Sequence, residues 1–154
     1  MSKILIILCL SLALNAANLN IQKGEIIAHT EVFGDSQISP STKEINTFLT
    51  IQKEVESIRG KIYFDTITLI SQKRDRDSNM YELFNFQKYK NISFDISNIV
   101  KNENGYYING DLTLNGITKN ITTNGEIINN KDAILLKGGF SFNLTDFNLE
   151  PPTM

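Results

Sequence analysis

The sequence predicts an all-β domain with one short helix, an antiparallel meander closed into a barrel. Three observations predict it. Apolar residues recur at every second position in several runs, the period of a strand with two unlike faces. Turn pairs such as Asn104-Gly105 and Asn115-Gly116 separate those runs. Helical spacing appears in one stretch alone, from Arg76 to Phe86. Long strands joined by tight turns close into a barrel or a sandwich, because an unpaired edge invites association; their length favours the barrel.

The first residues are set apart. Lys3 is a minimal positive start, Ile4 to Leu14 an apolar run, and Ala16-Ala17 a small-residue cleavage point, so residues 1–17 read as a signal peptide and 18–154 as the domain. The apolar run falls short of the ~20 residues of a transmembrane helix, so no stable membrane anchor is expected. An exported protein, periplasmic in location, follows from this reading.

From Gly24 the strands begin. Ile26, Ala28, Thr30 and Val32 share one face, with Ile27, His29, Glu31 and Phe33 on the other. A loop follows over 34–41, then a strand in which Ile45, Thr47, Leu49 and Ile51 face one way. Lys53 to Glu56 marks a bend. A long strand is expected from Ile58 to Ile70, with a bulge near Asp65 where the apolar parity changes. Met80, Leu83 and Phe84 then stand at i, i+3, i+4, with Asp77 or Ser78 as the candidate N-cap. Ile92, Phe94 and Ile96 open the next strand. Tyr106, Ile108, Leu112 and Leu114 share a face beyond the turn at Asn102 to Gly105. Asn115-Gly116, Asn124-Gly125 and Asn129-Asn130 read as further turns, and Ala133 to Leu144 closes the set, with Gly138-Gly139 as a bulge or kink.

Composition narrows the chemistry. At 154 residues the chain suits one domain with a full core. Its only cysteine, Cys9, lies in the leader, so residues 18–154 hold no disulfide, thiolate metal ligand or Cys nucleophile. Taking out Lys3 with residues 1–17 leaves 14 basic against 17 acidic side chains, a formal charge of −3. The one basic cluster, Lys73-Arg74-Asp75-Arg76-Asp77, cancels itself, so nucleic-acid binding is set aside. His29 is the only histidine, which rules out a histidine-rich metal site, and no HExxH, EF-hand or phosphate-binding glycine loop is present. No catalytic residue, metal or cofactor is assigned. An isomerase or hydrolase would have His29 as its only candidate base.

Two groups of residues remain as candidates. On an alternation argument that fixes faces without saying which is inside, Ile62, Phe64, Phe94, Ile96, Ile108, Leu112, Phe140 and Phe142 are the cavity-lining set. His29, Arg74 and Asp75 are candidates for a ligand head group or for a latch at one barrel end. For the Arg74–Asp77 cluster a latch is preferred over a solvated loop, with direct ligand contact third.

Three motifs give a resemblance. Arg74-Asp75, Met80, Leu83-Phe84-Asn85 and Lys88-Tyr89 leading into Ile92-Ser93-Phe94 make the first. Tyr107 to Lys119, YINGDLTLNGITK, is the second, and Phe140 to Pro152 the third. In this order and spacing, over roughly 24–154, they resemble YceI-like proteins. The resemblance implies a lipocalin-like antiparallel barrel of about eight strands that binds a polyisoprenoid lipid, such as an isoprenoid quinone, and no enzyme. A surface-acting or stress-related accessory protein with a self-filled barrel is the alternative, and a homodimer is left open. Three departures stand out: Ile27-Ala28-His29 replaces Ile-Lys-His, Lys90 replaces a proline, and the family's further strand after Pro-Pro is missing from this chain, which ends at Met154. The last predicts an open seam in the barrel.

Overall fold

The computed structural model describes residues 2–12, 18–30, 39–130 and 132–150. The strands are β1 (Ser2–Leu12), β2 (Asn18–Thr30), β3 (Ser41–Thr42), β4 (Asn46–Thr50), β5 (Arg59–Asp65), β6 (Asn91–Asn102), β7 (Gly105–Leu114), β8 (Ile117–Asn130) and β9 (Ala133–Phe142), with one helix, α1 (Arg74–Leu83). The sheet runs β1-β9-β8-β7-β6-β5-β4-β2, and β2 pairs with β1, so eight antiparallel staves form a closed ring; the two-residue β3 sits beside β2. Val32 and most of the loop expected over 34–41 lie outside the described residues.

The expected open seam does not exist, because β1 fills it. This strand pairs with β2 from Ser2↔Thr30 to Leu12↔Leu19 and with β9 from Ser2↔Phe142 to Ser11↔Ala133. Its inward residues Ile4, Ile6, Leu8 and Leu10 are all buried, and Leu8 and Leu10 are fully so. The segment set apart in the sequence as a leader is thus a stave of this barrel, while Ala16-Ala17 lies outside the described residues.

The hairpins follow the turn chemistry with two corrections. Asn115 and Gly116 take positive φ of 53° and 70°, the left-handed pair that a type I′ turn requires, between β7 and β8. A Cβ on Gly116 would also lie 2.6 Å from the Tyr89 ring. Gly116→Ala is therefore expected to lower stability by about 1–3 kcal/mol, read as a drop in the denaturant midpoint. Asn124-Gly125, by contrast, is no turn. Gly125 pairs with Tyr106 on one side and Gly138 on the other, inside β8, and is held there because a Cβ would strike Ile108 Cδ1 at 2.6 Å. Gly138 and Gly139 likewise keep unbroken register with Ile6 and Leu5, so the expected kink in β9 is not found.

The third correction concerns the run from Ile58. It is a strand only to Asp65, and a 3-10 turn over Thr66–Thr68 follows. The parity change read as a bulge is this turn: Thr66 is buried and its N–H donates to the Lys90 carbonyl, which leaves Ile67 exposed and returns Leu69 to the core. The helix also starts earlier than expected, with Lys73 at the N-cap and Asp77 inside its first turns.

Both ends of the barrel are covered. At the end where β5, β7 and β9 finish, α1 packs Met80, Leu83 and Phe84 against the core, and the 3-10 turn Leu144–Phe147 brings in Leu144, Phe147 and Leu149. Near the opposite end, Ile51, Val55 and Ile58 from the β4–β5 connection are buried in the same core.

Candidate functional site: the barrel interior

All eight residues named for the cavity lie on the inner side. Ile62, Phe64, Phe94, Ile96, Ile108, Leu112 and Phe142 are buried, and Phe140 is partly buried against them. The ladder explains this. Ile62 pairs with Phe94 and Phe94 with Leu112, so one register row carries apolar side chains across three strands. An aromatic column runs through the interior, Phe94 to Phe140 at 5.6 Å, Phe140 to Phe142 at 6.3 Å, and Phe142 edge-on to Phe147 at 5.2 Å between ring centroids. Gly110 makes room for it, since a Cβ there would sit 2.6 Å from the Phe94 ring.

Two small voids lie among the described interior residues. One void of about 20 Å³ is lined by Ile6, Ile62, Phe94, Ile96, Leu136 and Phe140 among others. A second, of about 10 Å³, lies beside Ile4, Ile26, Phe64, Leu112 and Phe140. Each is about the size that admits a single water molecule, and an apolar lining offers such a water few partners.

The latch takes a different form from the one expected. Arg74 and Asp75 are exposed at the start of α1, and His29 is half-buried on β2 with Nδ1 3.3 Å from Ser39 Oγ. The inward residue of the cluster is Asp77. Its carboxylate accepts the Ser71 N–H at 3.1 and 3.0 Å and the Ser71 hydroxyl at 2.7 Å, and one turn later Tyr81 donates its hydroxyl to the Leu69 carbonyl at 2.6 Å. Ile70, between these anchors, exchanges backbone hydrogen bonds with Ser41 at 3.1 and 3.0 Å, which ties α1 through β3 to β2. Sequence reasoning missed Asp77 as the anchor because it was taken for a cap; its place one helical turn before Tyr81 was the available signal.

Burial, and then the nearby Asp77 carboxylate, raise the Tyr81 pKa above its usual value. A group that holds its proton more tightly in the folded state contributes stability that is intact below its unfolded pKa of about 10 and is lost as pH rises through the higher folded value. Thermal melts should therefore show stability falling above about pH 10, and Tyr81→Phe should flatten part of that fall.

The sequence motifs meet in space at the helix end. The Tyr89 ring of the first covers Gly116 of the second, while Asn115 donates its side-chain amide to the Phe147 carbonyl of the third at 2.9 Å. Asn85 Nδ2 reaches Asn115 Oδ1 at 3.5 Å. These residues position staves and close an end. Among the described residues, no group of three or more His, Cys, Asp or Glu side chains is placed to hold a metal ion, and no helix is long and apolar enough to cross a membrane.

A closed antiparallel barrel with an apolar interior and a helical end is, in general, the scaffold of a binding protein. The chain belongs to the family of the YceI-like domain, whose model matches residues 15–153. It is 29% identical over 79 residues to a UPF0312 protein of Serratia proteamaculans, a stretch covering 50% of this chain and 41% of that one, so it aligns with less than half of that relative's length. The fold is similar to that of the Campylobacter jejuni YCEI protein, with a TM-score of 0.61 at 18% identity over 70% of this chain and 69% of that one. It is also similar to that of Burkholderia cenocepacia BcnA, with a TM-score of 0.58 at 12% identity over 90% of this chain and 94% of that one. The family match begins after β1, so the stave that closes the ring lies outside it.

Proposed function

We propose that this protein binds a polyisoprenoid lipid, such as an isoprenoid quinone, inside its barrel, as a carrier or sequestering protein of the periplasm and not as an enzyme. The observation that carries this reading is the largely apolar inner face, in which Ile62, Phe94, Ile96, Ile108 and Phe140 surround a common void beside the aromatic column. A hydrocarbon tail needs little else: apolar surroundings bind it in proportion to the area removed from water, and its head group would remain near one barrel end, with His29 and Arg74 as candidate contacts. The leader-like composition of residues 1–17 supports export.

Native mass spectrometry of protein purified from its own host, followed by organic extraction, tests the reading. A bound isoprenoid mass is the expected result. Protein that carries no lipid and takes up no added prenylated quinone would remove it. Fractionation of the host and the intact mass of the exported protein test export and cleavage; a mass beginning near residue 18 would mean that β1 is shed and that the mature barrel lacks this stave.

A second reading is favoured by one specific observation. The two voids found among the described residues are each of water size, which supports a barrel filled by its own side chains that acts through its surface.

A further inference from the structure

We propose that a gap between β8 and β9 is the window through which an isoprenoid tail crosses the barrel wall, with Lys119 at its rim holding a head group of oxygen acceptors. This rests on the lipid-binding reading and adds to it an entrance and a head-group contact.

The ring is joined unevenly at this junction. β8 and β9 pair from Gly125↔Gly138 to Asn130↔Ala133 and no further. Towards the helix end, residues 117–124 of β8 pair with β7 alone, and residues 139–142 of β9 with β1 alone. Just below the last shared pair, Thr123 donates its hydroxyl to the Gly139 carbonyl where a ladder bond would otherwise run. At the foot of the gap, the turn Leu144–Phe147 that follows β9 crosses to Asn115, whose side-chain amide donates to the Phe147 carbonyl at 2.9 Å. The gap is therefore a bounded window.

Burial follows the pairing. Leu114, Leu112 and Ile108 of β7 are buried and pair with Ile117, Lys119 and Thr123, so these residues and Ile121 between them face inward. None of the four is buried; Lys119 is exposed and the other three are partly so. Ile127, on the same face of the same strand, is buried where β9 pairs again. Across the gap Phe140 is partly exposed, while Ile134 and Leu136 on its face are buried. The void of about 20 Å³ borders Thr123, Gly138 and Gly139 at the head of this window. The short β2–β4 junction differs, because β3 lies beside β2 there and Ile45 is buried.

The window has two chemistries. Ile117, Ile121 and Phe140 pack against the core, which gives a hydrocarbon tail apolar contact from the rim to the interior. Lys119 is an inward-facing cation between two isoleucines, with no ion pair among the described residues. Its ammonium offers three donors and no acceptor, so it suits a phosphate ester or a quinone carbonyl, the charged one more strongly.

The test uses the full folded chain, with circular dichroism as the folding control and two probes of equal tail, farnesyl phosphate and a farnesylated benzoquinone. Lys119→Gln should weaken the phosphate at least about tenfold, and Lys119→Arg should retain it. The quinone, held by a hydrogen bond to a neutral oxygen, should lose less than about threefold. Lys137→Gln, the same charge change on the outer face of β9, should leave both unchanged. A diazirine in the first isoprene unit of the phosphate should label residues 117–123 or Phe140. Gly138→Leu, whose Cβ has 3.6 Å of clearance from Asn124 O, narrows the head of the window and should slow uptake of either probe.

Equal phosphate binding by Lys119→Gln and the parent would overturn the proposal, as would an equal loss in Lys137→Gln. Labels confined to α1 or to the β2–β4 junction would do the same, and so would unchanged uptake by folded Gly138→Leu. Each of these leaves the lipid-binding reading standing, because the probe is still bound. Displacement of both probes by inorganic phosphate at the same concentration would show that the tail contributes nothing, which removes the window. A parent protein that takes up neither probe and carries no host lipid removes the lipid-binding reading, and this proposal with it.

Discussion

Gly60→Ala is expected to leave the protein largely unfolded. Gly60 lies in β5 with φ of +124°, a backbone conformation that side-chain-bearing residues rarely adopt, and a Cβ there would overlap the Phe48 carbonyl oxygen of the neighbouring strand. Strain of this kind costs of order 1–3 kcal/mol by itself. The overlap adds to it, because the obstacle is backbone in the β4–β5 ladder, where Phe48 pairs with Lys61 and Leu49 with Gly60, and cannot rotate away as a side chain could. Together these approach the whole stability of a small domain, about 5–15 kcal/mol. Circular dichroism should show lost sheet signal or a collapse of the melting temperature; a variant melting within a few degrees of the parent would contradict the assignment.

Phe147→Ala should cost about 3–5 kcal/mol, the range for removing a buried phenylalanine. Phe147 is 1% exposed and stands at the foot of the aromatic column, edge-on to Phe142. Its carbonyl also receives the Asn115 amide, so the cavity left by the ring lies where the three motifs meet. The end cover should loosen with it, raising the fluorescence of an apolar dye such as ANS in the folded variant. A loss under about 1 kcal/mol in chemical denaturation would mean that the neighbouring side chains collapse into the space, and that this end of the barrel is less rigid than its packing implies.

Most staves could be read from period-two alternation because one face of each is buried and the other wet. In β7, Ile108, Leu112 and Leu114 are buried while Tyr107 is 48% exposed, and in β4 Leu49 is buried beside an exposed Phe48. The same logic placed all eight candidate interior residues on one side of the sheet. It failed where local signals had two meanings. Asn124-Gly125 reads as a turn, yet the contact between Gly125 and Ile108 keeps it in β8. Asp77 reads as a cap, yet its carboxylate faces Ser71, a partner that only the folded loop supplies.

The N-terminal run shows the division most sharply. Ile4 to Leu10 is apolar at both parities, so periodicity cannot separate a leader from a strand buried in a sheet. What selects the strand is the pair of edges that β2 and β9 present to it, from the near pair Leu12↔Leu19 to the distant pair Ser2↔Phe142, both edges being paired where β1 lies between them. By itself the sequence determined the β class, the hairpin order, the single helix and the apolar set, because those depend on spacing and turn chemistry within about a dozen residues. Only the tertiary structure decided which stave closes the ring and how the inner side chains pack against one another. These are properties of surfaces brought together from distant parts of the chain, and no local pattern encodes them.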